Sequence, residues 1–192
     1  MKRSLLIIIA LFGMVFTLQA QDTVKTKEQL KAERKALNAD RSSEERQARL
    51  KEIKDLQAPG ATGIASVDDL SKNTTTALDE TKKNNDLIPQ WYKGTTGETE
   101  DGVPDVTVKK PTLKELIDVA KSLDNTSKSL SAAASAIPSV TSDAKAAGPL
   151  KSIKAMKSVN YSKKVTSLLT PELLYQTKVI SNLIATLKSS GK

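Results

Sequence analysis

Residues 145–164, KAAGPLKSIKAMKSVNYSKK, carry Lys145, Lys151, Lys154, Lys157, Lys163 and Lys164 and no carboxylate. Amines at this density attract anions by diffuse electrostatics. Every basic residue from 106 to 192 is Lys, whereas bidentate recognition of a phosphate or a base edge calls on the planar guanidinium of Arg. The fitting partners are anionic lipid, lipopolysaccharide and acidic glycan. Nucleic acid fits poorly, because Tyr161 is the single aromatic in the stretch and strand-binding platforms stack successive bases on several rings. A merely solvated face, or pairing with an acidic N-terminal half, accounts for the same lysines without a ligand.

Two other groups of residues are candidates for contact chemistry. Trp91-Tyr92 is the one strongly aromatic pair, of a kind that stacks on sugars, sits at a membrane interface or fills a partner's groove. Its alternative role is structural, with Trp91 plugging one end of a core otherwise without large residues. Glu98, Glu100, Asp101 and Asp105 cluster as calcium ligands do, but their spacing departs from the Asp-x-Asp-x-Asp-Gly order, so a solvated acidic loop is expected.

Catalytic templates find little to use. The chain has no His and no Cys, which removes the commonest general base, thiolate chemistry, disulfides and the usual zinc ligands. Ser142-Asp143-Ala144-Lys145 matches the bare Ser-x-x-Lys pattern of penicillin-recognising enzymes, yet neither Ser-Asp-Asn nor Lys-Thr-Gly accompanies it. No Gly-x-x-x-x-Gly-Lys phosphate loop occurs. The expectation is a protein that is not an enzyme and needs no cofactor or metal.

The elements that must position these residues read as helices. From 21 to 57 a charged N-terminal arm rich in Lys, Glu, Arg and Ala bears a narrow stripe of Leu30, Leu37, Leu50, Ile53 and Leu56, and Ser42 with Glu45 reads as a capping box, so that two helices or one kinked helix fit equally. Pro59, Gly60 and Gly63 mark 58–65 as a linker. The rest, 66–192, reads as a helical bundle. Val67, Leu70, Thr74, Ala77, Leu78 and Thr81 share a face of a helix running to about Asn85. Pro89, Gly94, Gly97, Gly102 and Pro104 predict a loop over 87–111, in which Val103 to Val108 is the one candidate strand.

Next comes a heptad seam, Leu116, Leu123, Leu130 and Ile137, with Ala120, Ser127 and Ala134 as its small side. Thr112 and Glu115 should cap it, and Pro138 should end it. The seam is expected to pack on the C-terminal helix, begun by Thr170-Pro171-Glu172. A further helix should start at Pro149, with Leu150, Ile153 and Met156 or Lys157 on one apolar stripe expected to face inward and Lys151, Lys154 and Ser158 on the adjoining face.

Charge divides the chain. Residues 21–105 carry 14 Lys and Arg against 17 Asp and Glu, whereas residues 106–192 carry 14 against 5. The start, Lys2-Arg3 followed by an apolar run from Leu5 to Phe16 and then Ala20, is laid out as a signal peptide over 1–20, although Leu18 is larger than cleavage sites usually take. An uncleaved anchor is the alternative.

The sequence therefore predicts an all-α protein, an elongated bundle of about five helices with a long irregular loop in the middle. It should be exported to the periplasm, the outer membrane or the medium, and should act through helix faces on an anionic surface or another envelope protein, alone or as an oligomer. A membrane-active, pore-forming type of helical protein is the alternative. Against it, no apolar run after residue 20 reaches the ~20 residues that span a bilayer. N-terminal mass spectrometry of the exported protein should give a chain beginning at Gln21; intact Met1 in a membrane pellet contradicts the leader.

Overall fold

A computed structural model of the protein describes residues 25–191. The expected signal peptide lies outside the described residues. These form five α-helices: α1 (Lys27–Arg41), α2 (Glu44–Asp55), α3 (Ala65–Thr96), α4 (Leu113–Ala146) and α5 (Pro149–Ser190). With 42 residues at 1.5 Å each, α5 is about 63 Å long and forms the spine of an elongated all-α bundle.

The cross-helix contacts give the topology. α4 and α5 form an antiparallel hairpin through Ala147 and Gly148, and Gly148 takes the positive φ of 81° that the turn requires. α3 runs antiparallel to α4, with Ser66 bonded to Asp143 and Thr126 to Glu80, and parallel to α5, with Thr74 opposite Ser162 and Asn85 opposite Gln176. The α1–α2 arm returns along α5, pairing Leu30 with Asn182, Arg46 with Glu172 and Glu52 with Lys164.

Local chemistry explains most boundaries. Thr26 with Gln29 and Thr112 with Glu115 form capping boxes that satisfy the first donors of α1 and α4. α2 is capped by Ser43, one residue later than expected, its hydroxyl accepting from the Arg46 amide at 3.3 Å. α3 starts without a side-chain cap at Ile64. Instead Asp68 reaches back to the amides of Thr62 at 2.7 Å and Gly63 at 3.0 Å, and these bonds lower its pKa.

Three prolines depart from the sequence expectation. Pro89, Pro138 and Pro171 all lie inside helices, so the expected loop over 87–111 shrinks to the segment after Thr96, the seam helix continues to Ala146, and Pro171 starts nothing. An internal proline costs a helix about 3 kcal/mol in isolation. Here buried residues flank each one: Ile88 and Tyr92, Ala133 and Val140, Leu169 and Leu173. Packing on both sides of the missing hydrogen bond outweighs the local penalty. The candidate strand reduces to one bridge between Glu98 and Pro104. The loop then returns tightly over α3, and a Cβ on Gly94 would lie 2.5 Å from the Lys109 carbonyl oxygen.

The interior is in two parts. The larger cluster joins Ile53, Leu78, Leu116, Leu123, Leu169, Tyr175, Ile180 and Leu183 among others. The smaller, towards the α4–α5 turn, holds Val67, Leu70, Ala133, Val140, Ala144, Ala155 and Val159. Between them lie the buried hydroxyl residues Ser71, Thr74 and Ser162, with Thr74 and Ser162 oxygens 3.1 Å apart.

The seam of α4 takes its large side as expected, with Leu116, Leu123 and Leu130 buried. Its small side shifts by one residue: Thr126, Ala133 and Val140 are buried, whereas Ala120, Ser127 and Ala134 are half-exposed. Both sets satisfy three-four spacing, and Thr126, bonded to Glu80 on α3, belongs to the set chosen. Ala133→Leu should therefore overpack the smaller cluster, costing about 1–3 kcal/mol and several degrees of melting temperature. Ala132→Leu, on the exposed face one residue away, should leave melting nearly unchanged. Equal melting curves for the two variants count against this packing.

Candidate functional site

The six lysines all have exposed side chains, and they gather at the α4–α5 hairpin end and along the first four turns of α5. Among the described residues Lys164 meets Glu52 at 2.9 Å, while Lys145, Lys151, Lys154, Lys157 and Lys163 make no ion pair. On α4 Lys114 and Lys128 are each held by a carboxylate four residues away, Asp118 and Asp124, at 2.6 Å, while Lys121 makes no ion pair among the described residues. Two of the carboxylates near the hairpin end are already engaged, while the exposed Asp69 makes no ion pair among the described residues. Asp68 binds the 62–63 turn with Lys154 close enough to add to its pKa depression, and Asp143 accepts from the Ser66 hydroxyl at 2.8 Å.

The expected burial of Leu150 and Ile153 is corrected. They are 88% and 64% exposed, and only Met156 of that stripe leans on the smaller cluster. The buried side of α5 here is Ala155, Ser158, Val159 and Ser162, with Ala155 and Val159 packed among Val67 and Leu70 of α3 and Ala133, Val140 and Ala144 of α4. Leu150, Ile153, Lys154 and Lys157 consequently share one outward face at i, i+3, i+4 and i+7. Lysines and apolar side chains occupy the same face, not adjoining ones.

Tyr92 is buried, and its hydroxyl lies 3.4 Å from the Asn38 amide nitrogen. Trp91 is half-buried against the larger cluster. Tyr92 also forms the floor of an open depression of about 710 Å³ between α1 and the 97–112 loop, walled by Lys31, Arg34 and Lys35 on one side and Glu98, Glu100 and Asp101 on the other. Three of the acidic loop residues, Glu100, Asp101 and Asp105, find protein cations. Lys93 holds Asp105 at 2.9 Å, and bonds from Thr107 and then Lys93 bring that carboxyl down to about 2. Arg41 pairs with Glu100 and Asp101, and burial pushes the Glu100 pKa up against the pull of that arginine. Among the described residues no three metal-ligating side chains converge. Ser142 donates to the Pro138 carbonyl at 3.3 Å on the exposed side of α4, where Lys145 is also exposed.

The most strongly built polar feature was not anticipated. Glu172, fully buried in mid-α5, accepts from Arg46 Nη2 at 2.7 Å and Nε at 3.2 Å, with Arg49 Nε at 3.5 Å. The Arg46 guanidinium also lies 3.7 Å over the Tyr175 ring. Burial pushes the Tyr175 hydroxyl up to about 12, opposed by that cation. A signal existed: Arg46 is in register with Leu50 and Ile53, and Glu172 lies beside Leu173 on the buried stripe, so opposite charges occupied two apolar faces. The pair ties the arm to the spine.

Comparison with protein-family models, curated proteins and solved structures finds no match to this chain. The class that fold and site define is thus an all-α bundle with a basic, partly apolar hairpin end.

Glu172→Ala should destabilise the protein by about 3–5 kcal/mol, because it leaves the Arg46 charge buried without its partner. Arg46→Met with Glu172→Leu together should recover most of that loss. Denaturant unfolding checks both, and additive losses in the double variant contradict the coupling.

Proposed function

We propose that this is an exported, non-enzymatic helical protein of the cell envelope that acts by surface contact, its hairpin end meeting anionic surfaces. One observation carries the reading: five exposed lysines with no ion pair among the described residues gather at that end, whereas Lys114 and Lys128 of α4 are each held by a carboxylate four residues away. Nearby clefts do not compete for the role, since the open depression lies beside α1 and carries both signs of charge. Export is supported by Lys2-Arg3, the apolar run to Phe16 and Ala20, all in the sequence. Contact is preferred to pore formation because no described helix is long and apolar enough to cross a membrane.

Each lysine near a charged surface contributes about 1 kcal/mol, so changing Lys151, Lys154 and Lys157 together to Gln should weaken binding to anionic vesicles roughly 100-fold. Added salt should weaken the wild type in the same direction. The fold should persist, since exposed polar substitutions each shift stability by about 0.5 kcal/mol or less. A folded wild type that binds no anionic surface at low salt returns the lysines to simple solvation.

A further inference from the structure

Resting on the lysine reading above, we propose that the hairpin end is a lipid-inserting interface. Leu150 and Ile153 enter the acyl boundary of an anionic bilayer while Lys151, Lys154 and Lys157 engage its headgroups.

The two aliphatic side chains set a lipid surface apart from a polyanion. A solvated lysine face or a glycan-binding strip gains nothing from a leucine 88% exposed beside an isoleucine 64% exposed. At an interface this combination is useful: apolar side chains bury shallowly, and the ammonium groups flanking them stay at headgroup level. The spacing places Leu150, Ile153, Lys154 and Lys157 on one side of α5, so all four meet a plane at once. The same end is the N-terminus of the 42-residue helix. It has no side-chain cap and no acidic residue in its first turn, so the helix dipole adds to the positive potential.

A second copy of the chain fits less well. Two side chains fall far short of the ~800 Å² per partner that stable interfaces bury, and two such faces would bring lysines against lysines. The acidic loop lies away from this end. Glu100 lines the same small cleft as Tyr175, which is 26 residues or about 39 Å along α5 from Pro149. A protein approaching an anionic bilayer is thereby oriented with the hairpin down.

The test compares Leu150→Ser with Ile153→Ser, made together, against the wild type. Both are mixed with vesicles containing phosphatidylglycerol, with neutral phosphatidylcholine vesicles, and with heparin as a lipid-free polyanion. The expected result is a loss of affinity for the anionic vesicles of about tenfold or more, with heparin binding unchanged within about twofold. The exposed positions leave the fold in place, checked by circular dichroism. Leu150→Trp should in addition be quenched by brominated acyl chains. Unchanged vesicle affinity in the double variant, or no quenching, overturns insertion while leaving the lysine reading intact. A wild type that binds neither vesicles nor heparin overturns both. Self-association that the double variant abolishes, without vesicle binding, assigns the face to a second copy and overturns the proposal.

Discussion

A carboxylate with no exposure to water stands in the middle of the longest helix, and the arrangement of the arm depends on neutralising it. Glu172 alone in that position would oppose folding by several kcal/mol. Arg46 must therefore reach it from α2, and the two-point geometry of guanidinium on carboxylate allows one relative position of the helices. Once that position is fixed, Arg34 falls beside Asn182 and Thr186, Glu52 faces Lys164, and Arg46 covers Tyr175. The α1–α2 arm has few large apolar residues, so contact area alone would hold its register weakly. Directional pairs supply what the narrow stripe does not.

The same device recurs along α5. Ser162 meets Thr74, Gln176 donates to the Thr81 carbonyl at 2.9 Å and to Asn85 at 2.8 Å, and Asn182 donates to the Leu30 carbonyl at 3.1 Å. Ser162, Glu172, Gln176 and Asn182 of the spine each point to a different neighbour. A bundle whose described residues include one tryptophan and three tyrosines cannot rely on large rings to key its helices together, and polar keys are specific because an unmatched one is costly.

Much of the helical pattern was legible. The Thr112–Glu115 box, Pro149 as a first helical residue, the buried face from Val67 to Thr81 and the leucines of α4 follow from caps and periodicity. What escaped was decided by tertiary packing. Prolines read as breaks because the local penalty is visible in a sequence while the packing that offsets it is not. The small side of the α4 seam was ambiguous because alanines and hydroxyl residues occupy both alternatives. Leu150 and Ile153 read as inward on the general preference of aliphatics for the interior, yet α5 turns the competing stripe of Ala155, Ser158 and Val159 to its neighbours there. The lysines themselves were legible in number but not in company.

The division of charge then has two distinct physical forms. At the loop, cations and carboxylates are matched: Lys93 with Asp105, and Arg41 with Glu100 and Asp101. Charge there closes a segment over α1 and α3. At the hairpin end Asp68 and Asp143 are bound to backbone and hydroxyl groups, and the ammonium groups of Lys145, Lys151, Lys154 and Lys157 make no ion pair among the described residues. Beneath them lies the smaller apolar cluster, set off from the main core by Ser71, Thr74 and Ser162. Outward-facing substitutions at 150–157 touch neither that cluster nor the Arg46–Glu172 pair on which the arm depends. The hairpin end can therefore vary in surface chemistry with little effect on the packing below, the condition under which a contact face can be tuned independently of the fold.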